Sequence, residues 1–194
     1  MVDYIPNIKI VLVGAETIGK SIIEEFTKKY EKDIISNKSN NSISITIPYN
    51  NNKNKNTLNF SIYFTGSNAG PFSLIKTFST NTSAVFMVYD KKERESFKIL
   101  QKNLNQVNEY YKNAFKALIV NNADYKENDQ ETENEMEKFS NNCDTTFYLT
   151  KDADFQGLYN IFLTIAEKAP KMNEEDKQEI EDGKGCCPCS CLII

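Results

Sequence analysis

Histidine and tryptophan are absent from this chain, and Arg94 is its only arginine. Without histidine there is no Ser–His or Cys–His nucleophile pair and no imidazole ligand for zinc. A single arginine argues against a kinase for small substrates, which gathers several around its phosphates. No apolar run is long enough to span a bilayer, and no stretch reads as a signal peptide. Between Asp33 and Asp90 there is no Asp, no Glu and no Gln. Cysteine is scarce in the body, where Cys143 stands alone; the other four lie within the last nine residues. That is not a disulfide framework, and it suggests a reducing compartment with a specialised C-terminus. Positive charge is also short. A net charge of −4 and a pI near 5.1 argue against nucleic acid as the main partner. What remains is 194 residues, 40% of them hydrophobic, enough to bury the core of one domain.

The most informative stretch is Gly14-Ala15-Glu16-Thr17-Ile18-Gly19-Lys20-Ser21, a complete G-x-x-x-x-G-K-S phosphate-binding pattern. It lies between a β-branched apolar run (Ile8 to Val13) and a helical pattern (Ile22, Ile23, Phe26, Tyr30). Backbone N–H groups of such a loop point at phosphate oxygens, and the following helix adds positive potential. Lys20 would reach the outer phosphates, and the Ser21 hydroxyl would ligate Mg²⁺.

Strands are expected at Ile8–Val13, Ile43–Ile47, Leu58–Phe64, Ala84–Tyr89, Ala117–Val120 and Thr146–Leu149. Helices are expected at Ser21–Tyr30, Phe72–Phe78, Glu93–Tyr111, Glu131–Phe139 and Phe155–Ala169. Phe97, Leu100, Leu104, Val107 and Tyr111 form one apolar stripe; Phe155, Leu158, Phe162 and Ile165 form another. The alternation predicts an α/β fold, a six-stranded mostly parallel sheet with helices on both faces. The second and third strands follow one another without a helix and should pair antiparallel. The Asn50–Asn56 segment between them is low-complexity and reads as a loose loop. From Pro170 onward no periodicity remains. The expected division is a domain over 1–169 and a flexible tail over 170–194.

With these residues in view, the chain resembles a Ras-superfamily small GTPase, most of all the Rab family. The phosphate loop is the first match. The second is Ser73-Leu74-Ile75-Lys76-Thr77-Phe78, then Ala84-Val85-Phe86-Met87-Val88-Tyr89-Asp90, followed by Ser96-Phe97. The third is Asn121-Asn122-Ala123-Asp124, in the place of the guanine-reading N-K-x-D. The resemblance implies the P-loop small-GTPase (G-domain) fold, GTP and GDP as ligands, Mg²⁺, and protein effectors and regulators. In that reading the Asp124 carboxylate accepts two hydrogen bonds from guanine. Asn122 replaces a lysine. Lys151-Asp152-Ala153 stands for the base-backing S-A-K, with its main-chain contact kept and its lysine lost. Ser42, in the first switch, offers a second hydroxyl to Mg²⁺.

The departures bear on chemistry. The family's W-D-T-A-G-Q-E aligns with Tyr63-Phe64-Thr65-Gly66-Ser67-Asn68-Ala69. Phe64 takes the place of the metal-shell Asp, Ser67 that of a phosphate-facing Gly, and Asn68 that of the water-orienting Gln. The carboxylate-free stretch leaves no other register to rescue them. Glu16 replaces a small residue near the γ-phosphate and would repel it unless a cation lies between. Thr17 replaces a Gly and strains the loop backbone. No catalytic residue is assigned, and a weakened Mg²⁺ site with slow or absent hydrolysis is expected.

The C-terminus carries separate chemistry. Cys191-Leu192-Ile193-Ile194 is a C-a-a-X pattern whose aliphatic last residue favours geranylgeranyl. Cys186 and Cys187 could take palmitate, and Cys189 palmitate or a second prenyl group. Glu167 to Lys184 holds seven acids against four lysines, so a polybasic second anchor is missing. Stable attachment then needs a second lipid. The expectation is a lipid-anchored switch or scaffold of vesicle traffic on the cytoplasmic face of a membrane, the traffic role coming from the resemblance alone. The alternatives are a pseudo-GTPase interaction module of the same fold and, further off, a P-loop kinase.

Overall fold

The structure is a computed structural model, and it describes residues 7–51, 54–65, 77–121, 134, 138–139, 146–150 and 155–181. Its described elements run β1 (Asn7–Gly14), α1 (Glu16–Lys29), β2 (Ile35–Lys38), β3 (Ser42–Asn51), β4 (Asn54–Phe64), β5 (Ala84–Asp90), α2 (Arg94–Tyr110), β6 (Phe115–Asn121), β7 (Thr146–Thr150) and α3 (Gln156–Glu181). The strands form one sheet in the order β2-β3-β4-β1-β5-β6-β7. β1 pairs parallel with β4 and β5, and β5–β6 and β6–β7 are parallel too. β3 pairs antiparallel with both β2 and β4.

The alternation of side chains along the strands builds two apolar layers. Ile8, Ile10 and Leu12 of β1 face a core shared with Ile22, Ile23 and Phe26 of α1 and with Leu158, Phe162 and Ile165 of α3. Val11 and Val13 face the opposite core, with Phe97, Leu100 and Val107 of α2. β5 divides likewise: Ala84, Phe86 and Val88 to the first layer, Val85, Met87 and Tyr89 to the second. Phe162 anchors α3, with ring centroids 5.2 Å from Phe26, 4.9 Å from Phe60 and 5.7 Å from Phe86. The α/β class, the parallel centre, the β3–β4 hairpin and the helices on both faces are as the sequence predicts.

Four boundaries differ. A seventh strand, β2, joins the six expected; its Ile35-Ser36-Asn37-Lys38 is mostly polar, and Ile35 is 68% exposed, so no apolar pattern announces it. The Asn-rich stretch is paired rather than loose at its ends: Asn50 faces Lys55, and Asn51 faces Asn54. Cross-strand pairing overrides the weak β preference of asparagine there. α3 continues past Ala169 to Glu181, because the residues after Pro170 include Met, Lys, Gln and Glu, good helix formers. α1 begins at Glu16, well before the Ser21 start expected. The expected helices Phe72–Phe78 and Glu131–Phe139 lie largely outside the described residues, as do 182–194.

Candidate functional site

In a sheet of this topology, ligands gather beyond the carboxyl ends of the parallel strands. Gly14, Phe64, Asp90 and Asn121 all lie at that edge: Leu12 is in register with Phe64, Gly14 with Val88, and Asp90 with Asn121. Ser42, opening the antiparallel β3, reaches the same edge opposite Tyr63.

Gly14 leaves β1 with φ +109°, and a Cβ there would be driven into the Val88 carbonyl oxygen. Only glycine fits that close approach. Ala15 then donates its N–H to the Val88 carbonyl at 2.9 Å. The chain turns at once into α1, and the Gly19 N–H donates to the Ala15 carbonyl at 2.9 Å. Gly19 is buried against β1, where a Cβ would lie 2.5 Å from Leu12 Cδ1. Glu16 sits in the first helical turn, where its charge opposes the positive end of the helix. Its Oε2 is buried and has no hydrogen-bond partner among the described residues. It lines a cavity of about 210 Å³ between Gly14–Ile18 and the start of α2, with Glu93, Ser96 and Ile99 opposite.

Lys20 and Ser21 follow on the same helix. Lys20 Nζ stands 6.0 Å from the ring centroid of Phe64, in cation–π range. Phe64 is buried, and its N–H donates to the Asn41 carbonyl at 3.0 Å. An aromatic ring thus occupies the place where the resemblance expects a carboxylate. Ser21 Oγ donates to Glu25 Oε1 at 3.3 Å, and Ser42 Oγ lies 2.8 Å from Ser39 Oγ. The two hydroxyls proposed as Mg²⁺ ligands are therefore engaged within the protein, both in exposed contacts that water or an ion can displace.

The base-side corner starts at Asn121. Its Nδ2 donates to Asp90 Oδ1 at 3.4 Å, and its carbonyl accepts from the Lys91 N–H at 3.2 Å. Asp90 is buried and also accepts from the Lys92 N–H at 3.1 Å. Ser96 Oγ accepts the Asp90 N–H at 3.1 Å and donates to the Glu93 carbonyl at 2.7 Å. Asp90 and Ser96 hold this corner, a role that the sequence did not announce; an acidic residue closing the apolar run Ala84–Tyr89 was the available signal. Thr65 is a third such residue: buried beyond β4, it donates its hydroxyl to the Leu12 carbonyl at 3.1 Å. Asn122, Asp124, Lys151, Asp152, Cys189 and Cys191 lie outside the described residues.

A phosphate chain bound by G-x-x-x-x-G-K-S needs loop amides converging on its oxygens. In this conformation one of those donors, the Gly19 N–H, is bonded within the protein instead. Glu16 to Gly19 are wound into α1, the Gly19 amide is spent on Ala15, and a carboxylate sits in the first turn. As it stands, the segment keeps the Gly19 donor from a phosphate chain until its first turn opens.

The family model described as Ras family matches residues 9–171. A protein of Acanthamoeba polyphaga mimivirus described as "Probable Rab-related GTPase" is 28% identical over 181 residues, covering 88% of this chain and 80% of that protein.

Proposed function

Because this chain belongs to the Ras family, as a divergent Rab-like small GTPase, we propose that it acts as a membrane-anchored guanine-nucleotide switch or scaffold in vesicle-mediated transport, with GTP hydrolysis slow or absent. Members of the family bind GTP and GDP with Mg²⁺ and act through protein effectors and regulators. The observation that carries the present reading is the junction of β1 and α1. A G-x-x-x-x-G-K-S segment leaves the central strand at the sheet edge where ligands collect. Lys20 would meet the phosphates, and Asp124, after Asn121 at the end of β6, would read the base.

Slow hydrolysis is supported by Phe64, a buried ring in the place of the metal-shell Asp, and by Asn68 in the place of the water-orienting Gln. Membrane attachment rests on the C-a-a-X cysteine Cys191 and its neighbour Cys189. The mechanism would be a population shift in which nucleotide orders segments that partners then bind.

The wound first turn of α1 favours a second reading, a pseudo-GTPase of the same fold whose job is protein interaction. The nucleotide content of protein purified without added nucleotide separates the two. Bound GDP or GTP near one per chain supports the switch. Empty protein that takes up no guanine nucleotide on soaking supports the module.

A further inference from the structure

We propose that the nucleotide-free protein keeps its phosphate loop wound as the first turn of α1, and that Glu16 and Thr17 set nucleotide affinity through the work of unwinding it. This rests on the reading of Gly14–Ser21 as the phosphate site. The motif requires a loop of backbone amides between its two glycines, with the helix starting beyond the second. Here the helix starts at Glu16, between them. The Gly19 N–H, a donor the loop would need, is bonded to the Ala15 carbonyl at 2.9 Å.

The residues explain the winding. A helix costs glycine the most backbone freedom, and glycine's φ range suits a tight cradle. Glu16 and Thr17 stand where the family carries a small residue and a glycine, so the helical alternative gains at both positions. The Glu16 charge adds to this by facing the helix N-terminus.

The turn is also poised to open. Glu16 Oε2 is buried beside a cavity of about 210 Å³ and, among the described residues, no side-chain bond latches that atom in place. Ala15 does not cap the helix, and α1 has no side-chain cap there. The ends of the segment are fixed independently. Gly14 is pressed against Val88, and Gly19 is packed on Leu12. Unwinding is therefore confined to the residues between the two glycines, and the sheet need not move. An affinity reduced by the rarity of the open form follows from the general relation between apparent binding and the competent fraction.

The test measures binding of a fluorescent GDP analogue to the full chain with Mg²⁺, in wild type and two double variants. Glu16→Gly with Thr17→Gly disfavours the helical turn and should bind roughly tenfold tighter, which is about 1.4 kcal/mol. Glu16→Ala with Thr17→Ala removes the same carboxylate but keeps strong helix formers, and should bind no tighter than wild type. In nucleotide-free wild type the Gly19 amide should be protected from hydrogen exchange, and saturating GDP should change that protection. If the glycine pair and wild type bind equally, the gate is wrong while the guanine reading stands. If the alanine pair gains as much as the glycine pair, charge repulsion alone sets the affinity and the gate is again wrong. If no form binds, the gate falls together with the nucleotide reading. An unprotected Gly19 amide in the free wild type overturns the proposal whatever the variants do.

Discussion

Phe64 is the residue on which the chemistry turns. It is buried at the end of β4, with Lys20 over its ring. A carboxylate there would hold water or metal near the phosphates; a phenyl ring excludes both. Phe64→Asp combined with Asn68→Gln should therefore increase the effect of Mg²⁺ on nucleotide affinity. It should also lower stability, since losing a buried Phe costs about 3–5 kcal/mol in favourable cases. Titration with and without chelator checks the first effect, and urea unfolding the second. A wild-type protein whose affinity already depends on Mg²⁺ as strongly as the double variant's would refute this role. Wild-type hydrolysis should sit at or below about 10⁻⁴ per second, the scale of unassisted family members. Glu16 belongs to the same scale. Its identity was legible as a departure, but its consequence, a wound turn, depends on a contest between loop and helix that a motif match does not weigh.

At the scale of elements, apolar periodicity carried most of the information. The strands β1, β5 and β6 are nearly continuous apolar runs, broken mainly at Lys9 and Lys116, because both faces of the central sheet are covered. The stripes of α2 and α3 were readable for the same reason. α3 should hold the sheet through Phe162, whose ring meets those of Phe26, Phe60 and Phe86. Phe162→Ala should cost about 3–5 kcal/mol in urea unfolding, read from the midpoint at constant slope. A loss below about 1 kcal/mol would mean that α3 packs less tightly than its geometry shows. Elements held by partners rather than by their own pattern were not readable. β2 is a short polar strand that exists because β3 offers it an edge, and its register runs from Ile35 opposite Thr46 to Lys38 opposite Ile43. The paired asparagines at the ends of β3 and β4 are the same case.

For the whole molecule, the order of the strands brings the phosphate segment, Phe64, Ser42 and the Asp90–Asn121 corner to one edge of the sheet. The phosphate pattern, Ser42 and Asn121 were legible in the sequence as separate signals, whereas the part of Asp90 in the corner came only with the fold. Asp124, Lys151 and the cysteine tail lie outside the described residues, so their part rests on the sequence. The proposed lipid anchor can be checked in cells. Cys191→Ser should release the protein to the cytosol, and losing Cys186, Cys187 and Cys189 together should leave a fast-exchanging form, since one lipid chain is marginal. Retention of Cys191→Ser on membranes would contradict the lipid account. The central claim is that this fold reads guanine. Titration of the intact protein with GDP, GTP and ATP tests it most directly. Unpaired buried polar groups cost about 1–3 kcal/mol each, so guanine nucleotides should bind at least roughly tenfold tighter than ATP, and Asp124→Asn should erase the difference. Equal affinity for ATP and GTP in the unaltered chain would contradict it.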